Sequence, residues 1–149
     1  MWSADILQEL ARNLTERVQP DAVKRLIVLM ESAFPESSVV GYGGLVPAMG
    51  NDPKDRHVLA AAIKGEADVV VTRNLRDFPQ DTVRPYGIEV LHPDEFLLDQ
   101  LDLAPAEVLA VLHAQARGYR RAPRDVHGLL DRLDAGGVPQ FAAEVRRRL

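Results

Sequence analysis

ADVVVTRNLRDFP, residues 67–79, sets three consecutive valines directly against two arginines, an asparagine and an aspartate. A short β-branched run bounded by turn-forming residues reads as a buried strand. The polar residues sit at its carboxyl end, the place where sites form in parallel α/β sheets. Thr72, Arg73, Asn74 and Asp77 are therefore expected at the mouth of a crevice. The segment just upstream brings acids to the same edge. Asn51-Asp52-Pro53 opens a helix from about Lys54 to Glu66, with Val58, Leu59, Ala62 and Ile63 facing inward. That helix has to return across the sheet to feed the strand. Its amino end, with Asp52 and Asp55, then lies beside the strand's carboxyl end.

Oxygen donors with several carboxylates suit Mg²⁺ or Mn²⁺, ions that keep water and meet substrate phosphates. Such an ion activates water and steadies charge developing on a phosphodiester. Each residue also has a structural use: Asp52 and Asp55 as helix caps, Asn74 and Asp77 in a turn. Arg56, Arg73 and Arg76 serve as solvated charges in that reading, and His57 as an ordinary helix residue. Gly41, Gly43 and Gly44 do not match a phosphate-binding loop.

Upstream, Ser3 caps a helix with the apolar face Ile6, Leu7, Leu10 and Leu14. Pro20-Asp21 starts a second, with Val23, Leu26, Ile27, Met30 and Phe34 on one side, stopped by Pro35. SSVVGYGGLVP (37–47) reads as a short strand entering a Gly-rich loop. Downstream, Ile88–Leu91 is a third strand, and His92-Pro93-Asp94-Glu95 begins another helix. Short strands alternating with helices imply an α/β layered domain with a mainly parallel sheet. Beyond residue 98 the pattern is helical only, in stripes of Val108, Leu109, Leu112, Ala116; Val126, Leu129, Leu130, Leu133; and Phe141, Val145, Leu149. Stripes this short are expected to fold back on the α/β domain or to clasp a partner. A domain over 1–97 with a helical extension over 98–149 is the expected organisation. The arginines at 120–124 and 146–148 suit helix ends, RNA or an acidic partner.

The chain has 149 residues, 46% of them hydrophobic, enough for one core or a core with an appendage. No cysteine is present, which excludes disulfides, thiolate zinc sites and cysteine nucleophiles. A net charge of −4 argues against broad wrapping of nucleic acid but not against a nuclease built on metal-binding acids. The first twenty residues are charged and amphipathic, unlike a signal peptide, and no apolar run approaches membrane length, so a cytoplasmic protein with no membrane partner is expected.

NDPKDRHVLAAAIKGEADVVVTRNLRDFP (51–79) resembles the second half of a PIN domain, and is most similar to VapC-like toxins. WSADILQEL (2–10) resembles the segment of that family with an acid on an early helix. The resemblance covers roughly residues 2–97, and 98–149 is similar to a helical extension of some such toxins. It implies an incomplete PIN-like three-layer fold, since the family's first strand, its Asp and its first helix have no counterpart here. It implies a Mg²⁺- or Mn²⁺-dependent ribonuclease of a type II toxin–antitoxin pair. Glu9, Asp55 and Asp77 would be the metal ligands, with Asn74 beside them in the catalytic set, and Arg56, Arg73 or Arg76 near the phosphate. RNA and a cognate antitoxin are the implied partners, with a homo-oligomer or pairing through the vacant sheet position. Two other readings stand beside it: an inactive PIN remnant that binds an antitoxin or its missing half, and a receiver-like α/β domain. The latter lacks the alternation of five strands and five helices.

Overall fold

The structure, a computed structural model, describes residues 1–149. It divides into two compact units, Met1–Val70 with Asn74–Val90, and Val71–Arg73 with Leu91–Leu149.

In the first unit, α1 (Ala4–Thr15) starts at Ser3, whose buried hydroxyl accepts from Ile6 N at 3.3 Å. α2 (Pro20–Ala33) has Pro20 at its first position and ends ahead of Pro35. Its expected inward face is only partly covered: Val23 is buried, Ile27 and Met30 are half-buried, and Leu26 and Phe34 are 42% and 60% exposed. Phe34 finds one aromatic neighbour, Trp2, edge-on at 6.2 Å. A 3₁₀ turn at Pro53–Asp55 leads into α3 (Arg56–Lys64), which ends at Gly65. β1 is Val69–Val71, α4 is the single turn Gln80–Val83, and β2 is Glu89–Leu91. Leu59, Ala60, Val70, Phe78, Val83 and Val90 form the core.

The sheet is smaller than the strand pattern suggests. β1 and β2 pair in parallel, with Glu89 N donating to Asp68 O at 2.9 Å and Thr72 N to Leu91 O at 3.0 Å. The strand expected in 37–47 does not form. Ser38 makes only an isolated parallel bridge to Trp2. Gly41, at φ +75°, then turns the chain out of the extended path, and Gly43–Ala48 coils into a 3₁₀ helix. Val40 and Val71 are left 75% and 43% exposed.

The second unit is built from α5 (Pro93–Leu103), α6 (Pro105–Gly118), α7 (Val126–Ala135) and α8 (Pro139–Arg148). These helices bury their stripes against one another: Leu101, Leu112, Leu129, Leu130, Phe141 and Val145 share one core. The expectation that the stripes could not be buried among themselves is thus corrected, because α5 supplies a fourth helix through Leu101. Leu149 remains exposed. A buried carboxylate organises one end of this core. Val138, ahead of α8, has no polar side chain to cap it, and Pro139 has no N–H. Asp94 of α5, 4% exposed, accepts from Gln140 N at 3.1 Å and Phe141 N at 2.8 Å. It caps a helix far from it in sequence and places negative charge at the positive pole. The terminal arginines pair internally: Arg146 with Asp131 at 2.8 Å, Arg148 with Asp102 at 2.6 Å, and Arg147 with Glu144.

Asp94→Ala should remove about 1–3 kcal/mol from the helical unit by orphaning two amides. Leu130→Ala, at a fully buried position, should remove about 2–5 kcal/mol. Urea unfolding followed by circular dichroism measures both, and an Asp94→Ala midpoint equal to wild type would refute the capping role.

Candidate metal and nucleic-acid site

Two turns meet at the carboxyl end of β1. Asp52 Oδ1 accepts from Lys54 N at 3.1 Å, closing the 3₁₀ turn that delivers Asp55 to the start of α3. Asn74 starts a second 3₁₀ turn, Leu75–Asp77, that swings Asp77 back. Asp52 N donates to Asp77 O at 3.2 Å and joins the two. Asp52 therefore acts as a cap. Asp55 occupies the cap position of α3 without making a side-chain capping bond, so its carboxylate is available for other work.

Lys54 shows how close the two acids lie. Its Nζ is 2.7 Å from Asp77 Oδ2 and 3.9 Å from Asp55 Oδ2. Asn74 Nδ2 also donates to Asp77 Oδ2. The pair is electrostatically asymmetric. Burial, and next the neighbouring Asp77 carboxylate, push Asp55 up to about 6. The hydrogen bond from Lys54 holds Asp77 below the usual carboxylate range, and the same bond raises Lys54. Asp55 Oδ2 is buried and accepts no hydrogen bond. Asn51, 3% exposed, has neither amide atom paired, although its backbone carbonyl accepts from Arg56 Nε at 3.3 Å.

Glu9 does not complete a three-acid group with this pair, although its charge adds to the upward push on Asp55. Its carboxylate is 3.7 Å from His57 Nε2, too far for a hydrogen bond, and Nε2 is buried without a partner. The ring is set by Nδ1–H, which donates to Lys54 O at 3.0 Å. No group of three or more histidines and acids is close enough to hold a metal. The two carboxylates nevertheless fit Mg²⁺, which is commonly held by one or two carboxylates and completed by water and phosphate. The buried Asp55 oxygen, which accepts no hydrogen bond, is the observation behind that fit.

Among the arginines expected near phosphate, Arg56 is anchored through Nε to Asn51 and Arg76 is exposed. Arg73 lies in the helical unit, where its guanidinium donates to Gly136 O in the α7–α8 turn. Sequence reasoning missed Lys54 and Arg12. Arg12 lines a cleft of about 320 Å³ with Gln8, Glu9, Lys54 and His57. Its signal was faint: one basic residue on the polar side of α1, one helical turn from Glu9.

Paired acids at the carboxyl end of a parallel strand, one of them on the helix that feeds it, give this α/β chain a candidate site at the edge of its sheet. A family model for the PIN domain matches residues 1–76, just over half of the chain, and the chain belongs to that family. A model for the VapC50 C-terminal domain matches residues 93–147. The chain is 52% identical over 107 residues to "Putative ribonuclease VapC50" of Mycobacterium tuberculosis (strain ATCC 25618 / H37Rv). That match covers 72% of this chain and 63% of the relative, so the chain spans less than two-thirds of the relative's length. The resemblance to VapC-like PIN proteins is borne out. No solved structure matches the chain.

The asymmetry of the pair is measurable. The Asp55 carboxyl carbon should titrate in NMR with a midpoint near 6, and Asp77→Asn should move that midpoint down. The signs for stability are opposite. Asp55, raised in the folded state, favours folding at low pH, and that contribution is lost as pH rises through about 6. Asp77, lowered, contributes stability above the ordinary carboxylate range, lost as pH falls. An Asp55 midpoint near 4 that Asp77→Asn leaves in place would refute the pairing.

Proposed function

We propose that this chain is the ribonuclease of a VapC-like toxin–antitoxin pair, hydrolysing an RNA phosphodiester with Mg²⁺ or Mn²⁺. The observation that carries the proposal is the Asp55–Asp77 carboxylate pair, whose buried Asp55 oxygen accepts no hydrogen bond. The relative's printed name, which calls it a ribonuclease, supports the same reading.

Asp55 and Asp77 would hold the cation, with Glu9 as the third acid of the set. When bound, that ion supplies a Lewis acid that activates water and neutralises charge on the phosphoryl oxygens. Asn74 fixes Asp77 by donating to Oδ2, so the carboxylate is oriented before substrate arrives. His57 and Glu9 both line the cleft, with Nε2 3.7 Å from the Glu9 carboxylate. Arg76 and the remaining nitrogens of Arg56 are the cations of this turn region proposed to meet phosphate. Arg73, engaged by Gly136 O, is assigned the supporting role of holding its own loop. The division of labour proposed is nuclease first and helical extension after, with the break ahead of α5 rather than at residue 97, which lies inside that helix. RNA and a protein antitoxin are the proposed partners, and the cytoplasm the proposed compartment. No helix is long and apolar enough to cross a membrane.

A second reading has its own observation. Glu9 lies against His57 rather than completing a three-acid group, and β1 has only one strand neighbour. On that reading the chain binds an antitoxin, or an extended strand along the open side of β1, and does not cut RNA.

One assay separates the two. RNA cleavage by the full chain should require Mg²⁺ or Mn²⁺, stop with EDTA, and fall on the order of 100-fold or more in Asp55→Asn. Cleavage that survives Asp55→Asn undiminished would overturn the site. Tight Mn²⁺ binding with no cleavage of any RNA would favour the second reading.

A further inference from the structure

Lys54 is the one cation lying against both carboxylates, and it is poorly anchored there. Its side chain is 63% exposed, and it reaches Asp77 Oδ2 at 2.7 Å from the 3₁₀ turn itself. A lysine is a compact charge on a flexible four-carbon stem, so leaving one acid for another anion costs it little. The same side chain lines the cleft of about 320 Å³ whose far wall is α1, with Gln8, Glu9 and Arg12. Of the acids lining that cleft, Asp5 accepts from Tyr42 Oη at 2.6 Å, and Glu9 lies 3.7 Å from His57 Nε2. No carboxylate lies within ion-pair distance of Arg12. The cleft thus has an unpaired cation on one wall and a loosely held one on the other.

We propose that Lys54 is a phosphate-binding residue held in reserve by the carboxylate pair. Entry of a divalent cation at Asp55 and Asp77 displaces its ammonium, which turns into the cleft and, with Arg12, binds a phosphate of the RNA strand. The inference rests on the reading of Asp55 and Asp77 as a cation site. The physical drive is simple. A doubly charged ion outcompetes an ammonium for the same two carboxylates and repels it at a few ångströms. A displaced lysine then needs a new anion, and a phosphodiester strand crossing the cleft supplies one. Lys54 in this way couples metal occupancy to RNA affinity, and the metal-free chain has a weaker hold on RNA.

The test uses the full chain, Lys54→Gln and Asp55→Asn, with Mn²⁺ binding followed by electron paramagnetic resonance. Removing the internal competitor should tighten Mn²⁺ binding about two- to fivefold in Lys54→Gln, the range expected of an exposed ion pair. Asp55→Asn should abolish it. RNA binding is then read by anisotropy with a cleavage-resistant phosphorothioate oligonucleotide across a salt series. With Mn²⁺ present, Lys54→Gln should reduce the slope of log K against log salt by about 0.7, the share of one single-strand phosphate contact. Without Mn²⁺ the two proteins should have equal slopes. Weaker or unchanged Mn²⁺ binding in Lys54→Gln overturns the proposal, as does a slope change that is the same with and without metal. If wild type binds no Mn²⁺, or Asp55→Asn binds it as well as wild type, the cation-site reading itself falls. That result is distinct from a failure confined to Lys54.

Discussion

The backbone hydrogen bond from Asp52 N to Asp77 O joins two turns that the sequence places on either side of α3 and β1. Without it, Asp55 and Asp77 are acids on separate surface loops. With it, the amino end of the helix that feeds β1 and the chain leaving β1 share one edge. The bond is sheltered by its surroundings: Asn51 and Phe78, flanking the two residues, are 3% and 4% exposed. Leu59, at 0% exposure, packs α3 into the same core as Val70 of β1. The parallel pairing of β1 with β2 sets the direction in which the chain leaves the sheet, and so which residues come last.

Two carboxylates held this close cannot both ionise freely. The pair divides the problem unevenly, with Asp77 held low by Lys54 and Asn74 while Asp55, which makes no such bond, rises to about 6. Such a pair is stabilised by positive charge, and a divalent cation supplies more of it than a lysine. Carboxylates pushed in opposite directions by their surroundings are often found at functional sites, and structural ion-pair networks produce them too. The position of Asp55 at the amino end of α3 offsets part of the repulsion through the helix dipole.

The helical unit solves a different problem. Its terminal arginines are paired internally, Arg146 and Arg148 with acids of α7 and α5. Asp94 replaces the cap that Val138 cannot provide. These contacts make the unit a self-contained body with its own core, which agrees with its separate match to the VapC50 C-terminal domain. The arginine-rich ending that suggests a nucleic-acid tail is, at Arg146–Arg148, chiefly an internal lattice of ion pairs.

Local pattern alone determined a good deal. The valine run, the asparagine–aspartate–proline start of α3, the prolines opening α5, α6 and α8, and the apolar stripes of the tail all specify elements through rules that act within a few residues. The same rules put Asp55 and Asp77 at one strand end, because a helix joined to a strand by a short turn runs back alongside it, so that the helix start lies by the strand end. What they could not decide is which segments meet. SSVV has a strand's composition but makes one bridge, since Gly41 diverts the chain before a second can form. Leu26 and Phe34 keep helical spacing yet stay exposed, because periodicity marks a face without supplying what covers it. Asp94 looks like a first-turn acid of its own helix and instead caps another. Lys54 carries no motif, and its place against both carboxylates follows only from the turn that Asp52 closes. Those outcomes depend on partners distant in sequence, and only the folded chain brings such partners within hydrogen-bond and ion-pair reach.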